Sequence, residues 1–455
     1  MQRDGIEVIS GYQLPTNARS LLFHEIGKAA VREAITPADI LEHSLRTDSS
    51  SQGRWGIMIE PWIVTLCPSD EAGGLLKFPY DNARTFDDPR MPAVAGHEFT
   101  GRIVGGTQKH LNQLAQKTGL TLDDLLRGNV VVTGDINVGC DDCSSCSAGG
   151  PPLYCGNDLT FVGIGGSRTS SEWVKKQTGR THIPGAYAEG GFVVLPSSNV
   201  HIIPKNDLRT IDSLAVFGNS DAVACAKTSC NAMGLGDYKR LRPSGVPKVL
   251  IIGAGRLGSW HAAVIKDIAP DAEIYLSDTK AENLSTVGNL FGIAENRRYL
   301  TSTHTPYPYS RERIESEFGK GIYFDFVVDT SGDIFNGEVI NNIILEIVEK
   351  GGVFCTTYHK GISNVDAGHP QIIGGMKRFV NGLSPMNNFP YATSFLSANH
   401  QRFRNLMSEI PGGLSHPDIA QIVATGGSDY KKTAYGITFF TQLVEPGKLL
   451  QFLKT

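Results

Sequence analysis

The sequence lacks a long hydrophobic run, an excess of positive charge, internal repeats and low-complexity tracts. No apolar segment approaches the roughly 20 residues that a membrane-spanning helix needs, and the opening segment MQRDGIEVIS lacks the charged-then-apolar order of a signal peptide. The formal net charge is −4, so no overall positive field attracts nucleic acid or an anionic membrane surface. These absences predict a cytoplasmic protein with neither a nucleic-acid nor a membrane partner.

The length and composition are those of a globular protein with more than one domain. The 455 residues suffice for two or three domains with separate cores, and 40% of the residues are hydrophobic against 19% charged. A chain of this size needs no disulfides for stability, and the cytosol keeps thiols reduced. Clustered cysteines are therefore expected to be metal ligands or catalytic groups.

Four of the eight cysteines lie close together in the segment VGCDDCSSCSAGGPPLYCGN. They have the spacing C-x2-C-x2-C-x8-C and are Cys140, Cys143, Cys146 and Cys155. A redox pair would open a helix in a βαβ unit, and a nucleic-acid-binding ribbon would carry basic residues, whereas this loop contains Asp141 and Asp142. Four thiolates from one loop can close a tetrahedral shell around Zn²⁺, so the pattern predicts a structural zinc site.

The pattern of strands and helices changes along the chain. Short β-rich runs separated by Gly and Pro occupy roughly residues 56–200 and predict a mostly antiparallel region. Two stretches interrupt it: residues 110–127, which have a helical pattern and a candidate cap at Thr121, and residues 167–183, which are polar. From about residue 212 strands and helices alternate, which indicates a parallel sheet covered by helices.

A glycine-rich turn, LIIGAGRLGSW, follows one of these strands and begins a helix in G-x-G-x-x-G register. The residues of the turn are Gly253, Gly255, Arg256, Leu257 and Gly258. The glycines permit a tight turn, a close approach of the backbone to a pyrophosphate and close packing of helix on strand. Twenty residues later Asp278 ends the next strand, where a carboxylate accepts from ribose hydroxyls and repels a 2′-phosphate. The turn therefore predicts NAD as cofactor in preference to NADP.

Two separate segments contain further residues of metal-ligand type. TLCPSDEAGG supplies Cys67, and AVAGHEFTG supplies His97 with Glu98. A lone cysteine is often a small buried hydrophobic residue, and a lone histidine in an apolar run is often a satisfied core residue. Taken singly, neither segment predicts a site.

The order of these motifs resembles that of the zinc-dependent medium-chain dehydrogenase/reductase family, which contains the alcohol and polyol dehydrogenases. The resemblance is carried by Cys67-Pro-Ser69-Asp70, Gly96-His97-Glu98 with Gly101, the four-cysteine lobe, GAYAEGGFVVLP and the G-x-G-x-x-G turn, and it extends from about residue 18 to the C-terminus apart from the insertions. It implies an α/β fold class, with a β-rich GroES-like catalytic domain and a Rossmann domain whose parallel sheet is doubly wound. The predicted domains are 1–211 (catalytic, with the structural zinc lobe at 139–156), 212–376 (NAD-binding Rossmann) and 377–455 (a return to the catalytic domain).

The resemblance also implies a catalytic zinc in the cleft between the two domains. Cys67 and His97 are its implied ligands, and a thiolate with an imidazole suits Zn²⁺ while leaving room for an alcohol oxygen. The third protein ligand is expected at Asp221, at the start of the helix that enters the Rossmann domain. Cys225 and Glu98 are its substitutes.

A proton route and a ligand-orienting group are implied next to the zinc. Ser69 is expected to pass the substrate proton toward the cofactor ribose, and Asp70 to orient a zinc ligand. The implied catalytic set is Cys67, Ser69, Asp70, His97 and Glu98. The sequence departs from the family pattern at Ala72, where some members carry a relay histidine, and in the last cysteine spacing, which is one residue longer than usual. A proton leaving Ser69 must then take another route.

The sequence predicts an oxidoreductase that interconverts a secondary alcohol or polyol, sugar-derived or phosphorylated compounds included, and its ketone. One catalytic zinc, one structural zinc and NAD are the expected cofactors, and the family resemblance implies a homodimer or homotetramer acting on a small molecule. Two alternatives stay open: a non-catalytic NAD-binding redox sensor with structural zinc, and a zinc-free quinone or enoyl reductase of the same superfamily. The two insertions and residues 359–395 either line the substrate pocket or form surface loops.

Overall fold

A computed structural model describes residues 6–9, 19–25, 28–33, 56–67, 93–94, 96–127, 130–139, 143–148, 155, 160–161, 185–186, 188–189, 193–204, 208, 210–302, 308–331, 337–357, 369–382, 385, 387–424 and 437–441. The predicted insertion at 167–183 lies outside these residues, as does part of the region 359–395. No described helix is both long and apolar enough to cross a membrane.

The strands in chain order are β1 Ile6–Val8, β2 Arg19–Glu25, β3 Lys28–Glu33, β4 Ile57–Thr65, β5 Ala93–Val94, β6 Phe99–Thr107, β7 Val131–Gly134, β8 Asn137–Val138, β9 Thr160–Phe161, β10 Ala188–Glu189, β11 Val193–Leu195, β12 Val200–Ile202, β13 Lys248–Ile252, β14 Glu273–Asp278, β15 Arg298–Leu300, β16 Phe324–Asp329, β17 Val348–Thr356, β18 Arg378–Asn381, β19 Met407–Glu409 and β20 Ile437–Thr441.

The α-helices are α1 Gln108–Thr118, α2 Leu122–Leu126, α3 Ser144–Ser147, α4 Ile211–Phe217, α5 Ser220–Met233, α6 Tyr238–Leu241, α7 Arg256–Ile268, α8 Ala281–Phe291, α9 Arg311–Phe318, α10 Gly337–Glu346, α11 Pro370–Gly374, α12 Phe389–Phe403 and α13 Ile419–Ala424. Short 3₁₀ helices cover Ser197–Asn199, Leu235–Asp237, Glu295–Arg297, Arg404–Leu406 and Gly413–Ser415.

The described residues form two compact units. Unit 1 contains those up to Asp221 and those from Phe389 onward, and unit 2 contains those from Ala222 to Asn388. The sequence-based boundaries, after residues 211 and 376, lie ten and twelve residues earlier than these divisions. Helix α4 belongs to unit 1, because the Thr100 hydroxyl donates a hydrogen bond to the carbonyl of Leu214 (3.0 Å).

Unit 1 is built on mostly antiparallel sheets, as the sequence predicts for its β-rich part, and only β19 and β20 pair in parallel among the described strands of this unit. Its main sheet has the order β12-β7-β6-β4-β20-β19, with β1 also paired to β6 and β11 to β4. The long strands β4 and β6 form its centre and pair antiparallel from Ile57 opposite Gly106 to Val64 opposite Phe99. Gly101 permits this pairing, because a Cβ there would collide with the carbonyl oxygen of Glu60. A smaller sheet has the order β10-β2-β3, with β5 paired to β2.

The predicted helical insertion at 110–127 consists of two helices rather than one. Gly119 ends α1 in the left-handed conformation (φ 74°), which an L side chain adopts at a cost. Thr121 then caps α2, as predicted, through a capping box in which its hydroxyl accepts from the Asp124 amide (3.1 Å) and the Asp124 carboxylate accepts from the Thr121 amide (3.1 Å). The apolar face of this helical pair joins the unit 1 core through Leu111, Leu114 and Leu125.

Unit 2 contains one six-stranded parallel sheet in the order β15-β14-β13-β16-β17-β18. Numbered within the unit this is 3-2-1-4-5-6, the order of a doubly wound dinucleotide-binding sheet, so the predicted fold class is confirmed. Its last strand, β18, pairs with β17 from Val353 opposite Arg378 to Thr356 opposite Asn381. This strand lies just beyond the sequence-based boundary at residue 376.

Candidate metal and cofactor sites

The pairing of β4 with β6 brings Cys67 and His97 to the same end of the unit 1 sheet. Cys67 comes two residues after β4 ends, and His97 two residues before β6 begins. The last rung between the two chain segments is the hydrogen bond from the Thr65 amide to the carbonyl of Glu98 (2.9 Å). Two residues that are thirty positions apart in the sequence therefore meet because their strands run antiparallel.

Cys67, His97 and Glu98 form a compact group of donor atoms, one from each side chain, that all lie within 4.8 Å of one another. His97 and Glu98 are 3% and 2% exposed, and His97 Nε2 lies 4.0 Å from Glu98 Oε1. Ligands of a tetrahedral zinc ion lie roughly 3.5 Å apart, given metal–ligand bonds of about 2.0–2.3 Å. The sulfur, nitrogen and oxygen donors need only a small inward shift to reach that spacing.

The third predicted ligand, Asp221, is not part of this group. Asp221 lies in the first turn of α5, and Cys225 lies one turn later. The donor group contains Glu98, one of the two predicted substitutes. Asp221 instead acts on Asp135: burial, and secondarily the Asp221 carboxylate, raises the pKa of Asp135 to about 7. The assignment of Asp221 or Cys225 as a ligand stays a prediction, and Ser69 and Asp70 lie outside the described residues.

Three sulfur atoms of the cysteine lobe also lie close together. Cys143, Cys146 and Cys155 lie within 4.8 Å of one another, and the fourth predicted ligand, Cys140, lies outside the described residues. The Cys143 sulfur caps the short helix α3 and accepts from the Cys146 amide (3.5 Å). The thiolate is the form of cysteine that binds a metal.

The glycine-rich turn between β13 and α7 has the geometry that each glycine predicts. Gly253 has φ 88° and packs against Ser331, whose backbone nitrogen would lie 2.8 Å from a Cβ at this position. Gly255 precedes the first helical residue without a side-chain cap, and a Cβ there would meet no atom within 4 Å. The first amides of α7 and the open space over Gly255 form a cradle for an anionic group.

Asp278 lies at the end of β14, beside this turn, as predicted. Its carboxylate accepts from the amides of Ala254 (2.7 Å) and Lys280 (2.8 Å) and from Asn283 Nδ2 (3.1 Å). These three donors fix the orientation of the carboxylate. A negative charge is thus held at the carboxyl end of the second strand.

A second segment, at the end of β16, lies beside the turn and was not predicted from the sequence. The Thr330 hydroxyl donates to the carbonyls of Gly253 (2.6 Å) and Ile252 (3.0 Å), and Asp329 Oδ1 accepts from the Ser331 amide (3.0 Å) and hydroxyl (2.7 Å). Strands β13 and β16 are the neighbours at which the strand order reverses, where ligands of doubly wound sheets bind. The polar run DTSG after the apolar FDFVV is the signal that could have identified this segment.

Replacing Gly258 by alanine is expected to weaken NADH binding by about tenfold or more, since overpacking costs roughly 1–3 kcal/mol. A Cβ at Gly258 would collide with the carbonyl oxygen of Gly253, so helix α7 must move away from the turn. Gly374→Ala is the matched control, because a Cβ there meets no atom within 4 Å. Fluorescence titration with NADH measures the effect, and equal affinities for the two variants would contradict it.

Unit 2 also contains a buried histidine that makes its stability depend on pH. His261 is fully buried, and burial lowers its pKa to about 4 from 6.5. As the pH falls, this histidine is protonated in the unfolded chain near pH 6.5 but in the folded protein only near pH 4. The free energy of unfolding therefore decreases as the pH falls from about 6.5 to about 4. His261→Leu should remove this loss, and its stability relative to the parent should rise by about 2 kcal/mol between pH 7 and pH 5. Urea unfolding at the two pH values measures the difference, and a constant difference would exclude a neutral buried His261.

Comparisons with known proteins find relatives and fold neighbours that are named as dehydrogenases. The chain is 26% identical over 265 residues to L-threonine 3-dehydrogenase of Coxiella burnetii, which is 58% of this chain and 59% of the relative. It shares its fold with a zinc-binding dehydrogenase of Sinorhizobium meliloti bound to NADP (TM-score 0.62, 16% identity, 94% of this chain and all of the other). The chain also shares its fold with L-idonate 5-dehydrogenase of Escherichia coli (TM-score 0.62, 16% identity, 93% of this chain and 98% of the other).

The structural similarities cover more of the chain than the sequence similarities do. The structural ones cover nearly the whole chain and establish the fold, including the GroES-like unit. The chain spans only 38% to 59% of the length of the L-threonine 3-dehydrogenases that it matches, and no family model matches it. Fold and sequence together confirm the predicted resemblance of this chain to the zinc-dependent medium-chain dehydrogenase/reductase family.

Proposed function

We propose that the protein is a zinc- and NAD-dependent dehydrogenase that interconverts a secondary alcohol or polyol and its ketone. The observation that carries this proposal is the group of Cys67, His97 and Glu98, whose donor atoms lie within 4.8 Å of one another. The named activities of the relatives support it. Position 3 of L-threonine and position 5 of L-idonate, the positions that their names give, are both secondary alcohol carbons.

The donor set fits zinc. A thiolate, an imidazole and a carboxylate are the three ligand types that Zn²⁺ takes in proteins, and catalytic zinc sites keep one position open for water or substrate. When bound, zinc supplies a Lewis acid for the substrate oxygen. Cys67 and His97 would hold it, and the buried Glu98 would either complete the protein ligands or orient His97.

The turn in unit 2 fits a dinucleotide. The amides at the start of α7 would bind the pyrophosphate, and the carboxylate of Asp278 would accept hydrogen bonds from the adenosine ribose. When bound, NAD supplies the hydride acceptor. The charge of Asp278 opposes a 2′-phosphate, so the proposal specifies NAD although one structural relative binds NADP.

The remaining predicted residues have supporting roles in this proposal. Ser69 would carry the substrate proton away from the site, and Asp70 would hold a ligand side chain in place. The sulfurs of Cys143, Cys146 and Cys155, with Cys140 as fourth ligand, would bind a second, structural zinc ion. We place the enzyme in the cytoplasm, where thiolates stay reduced, and propose that it acts as a dimer or tetramer.

The function is tested by metal analysis and a substrate panel on the purified protein. We expect two zinc ions per chain and NADH formation from at least one alcohol in a panel of L-threonine, L-idonate, other polyols and sugar phosphates. NADH binding without any turnover would support the redox sensor instead. One zinc ion or none per chain, with reduction of a quinone or enoyl compound, would support the zinc-free reductase.

A further inference from the structure

A cavity lies in unit 2 near the amino ends of the parallel strands, whereas the glycine-rich turn lies at their carboxyl ends. It has a volume of about 330 Å³ and is lined by the first residues of β13 and β14, the 3₁₀ helix Glu295–Arg297 and the loop that follows α9. The turn follows the carboxyl end of β13, whereas Lys248 lies at its amino end. At about 3.3 Å per residue the strand separates the two places by roughly 13 Å, so the cavity is distinct from the cofactor cradle.

The charges that line this cavity are mainly positive. The one carboxylate among the lining residues belongs to Glu273. Arg297 forms an ion pair with it (Nη2 to Oε1, 2.9 Å), and the Arg297 guanidinium lies 5.3 Å from the centre of the Tyr275 ring. The Tyr275 hydroxyl donates to the other oxygen of Glu273 (3.3 Å). In the part of the chain that the structure describes, the ammonium groups of Lys248 and Lys320 form no ion pair within 4 Å. The Glu315 carboxylate, beside this loop, interacts electrostatically with Lys320. The lining itself has three positive side chains, Lys248, Arg297 and Lys320, against the single carboxylate of Glu273, in a protein whose net charge is −4.

The backbone holds both lysines at the cavity. Lys248 is in register with Glu273 across β13 and β14, and its amide donates to the carboxylate of Asp325 (3.0 Å). Lys320 lies between Gly319 (φ 106°) and Gly321 (φ 77°), in a loop that the bond from the Gly321 amide to Glu315 Oε1 (3.0 Å) fixes. Both glycines adopt a conformation that L side chains rarely take, so the course of this loop requires glycine on each side of Lys320.

We propose that this cavity binds a doubly charged phosphate group, either as inorganic phosphate or as part of a small phosphomonoester. Two lysine ammonium groups match the charge of a phosphate dianion, and charge-assisted hydrogen bonds to phosphate are the strong ones. The ion pair with Glu273 partly neutralises Arg297 and so limits the affinity of the cavity for phosphate. The size of the cavity leaves room for an organic part attached to the phosphate.

The proposal is tested by calorimetric titration of the purified protein, with and without NADH, using inorganic phosphate in one arm and glycerol 3-phosphate in the other. Lys248→Ala with Lys320→Ala should weaken binding by tenfold or more, whereas the control pair Lys109→Ala with Lys350→Ala should bind like the parent. Glu273→Gln should act in the opposite direction and tighten binding a few-fold, because Arg297 is then released from its carboxylate partner.

The two arms identify the source of the phosphate. Binding of inorganic phosphate alone points to the free ion, and binding only of glycerol 3-phosphate points to a phosphomonoester. Absence of saturable binding in both arms, or affinity that neither the lysine pair nor Glu273→Gln changes, overturns the proposal. Because the readout is binding and not turnover, its result does not depend on the proposed dehydrogenase activity.

Discussion

Alanine at Cys67 or at His97 is expected to lower turnover of the best alcohol substrate by roughly a thousandfold or more while NADH affinity stays within about twofold of the parent. The loss corresponds to about 4 kcal/mol of barrier, which is what removal of a metal Lewis acid costs. Cofactor binding is expected to persist because the glycine-rich turn and Asp278 belong to unit 2, whereas both replaced residues belong to unit 1. Steady-state kinetics, NADH titration and zinc analysis on the same samples measure the three quantities.

The controls for this experiment come from the same unit. His416→Ala replaces a half-buried histidine of unit 1 outside the donor group, and should leave turnover and zinc content unchanged. Glu98→Gln and Asp221→Asn distinguish the candidate third ligands: the variant that loses one zinc ion per chain identifies the ligand. Full activity in a Cys67→Ala, His97→Ala double variant would falsify the catalytic role of the metal.

The second large effect is expected from the cysteine lobe. Cys143→Ala removes one thiolate of the sulfur group and the cap of α3, so the lobe zinc should be lost and the free energy of unfolding should fall by several kcal/mol, since structural zinc contributes directly to folding. Thermal unfolding with and without a chelator, together with zinc content, measures this change.

Ser145→Ala is the matched control for Cys143→Ala. It lies in the same short helix α3 but offers no sulfur ligand, so its zinc content and unfolding temperature should equal those of the parent. A Cys143→Ala protein that keeps two zinc ions per chain and the parent unfolding temperature would show that the lobe is not a structural metal site.

Much of the fold, the cysteine lobe and the glycine-rich turn could be predicted because short sequence patterns specify them. The spacing of the cysteines, the register of the glycines and the position of Asp278 each impose one geometry, and the structure has that geometry at Gly253 and Asp278. The meeting of Cys67 with His97 followed from the family resemblance and not from spacing. In the structure it depends on the antiparallel register of β4 and β6, which no local pattern encodes.

Other features required three-dimensional information. Glu98 rather than Asp221 is grouped with Cys67. This grouping depends on the directions of the side chains beyond the hydrogen bond from the Thr65 amide to the Glu98 carbonyl, where β4 and β6 stop pairing. The predicted Rossmann domain ends at residue 376, before strand β18 (Arg378–Asn381), because the sequence beyond about residue 377 has short apolar strands without a regular alternation of strands and helices. The phosphate-type cavity is lined by residues from four separate segments, none of which carries a motif.

Crystals of the purified protein measured on both sides of the zinc absorption edge test the account most directly. We expect an anomalous peak bonded to Cys67 Sγ and His97 Nε2, and a second one among the sulfurs of the cysteine lobe. A protein crystallised with zinc that has no anomalous density between Cys67 and His97 would contradict the proposal that this chain is a zinc-dependent dehydrogenase.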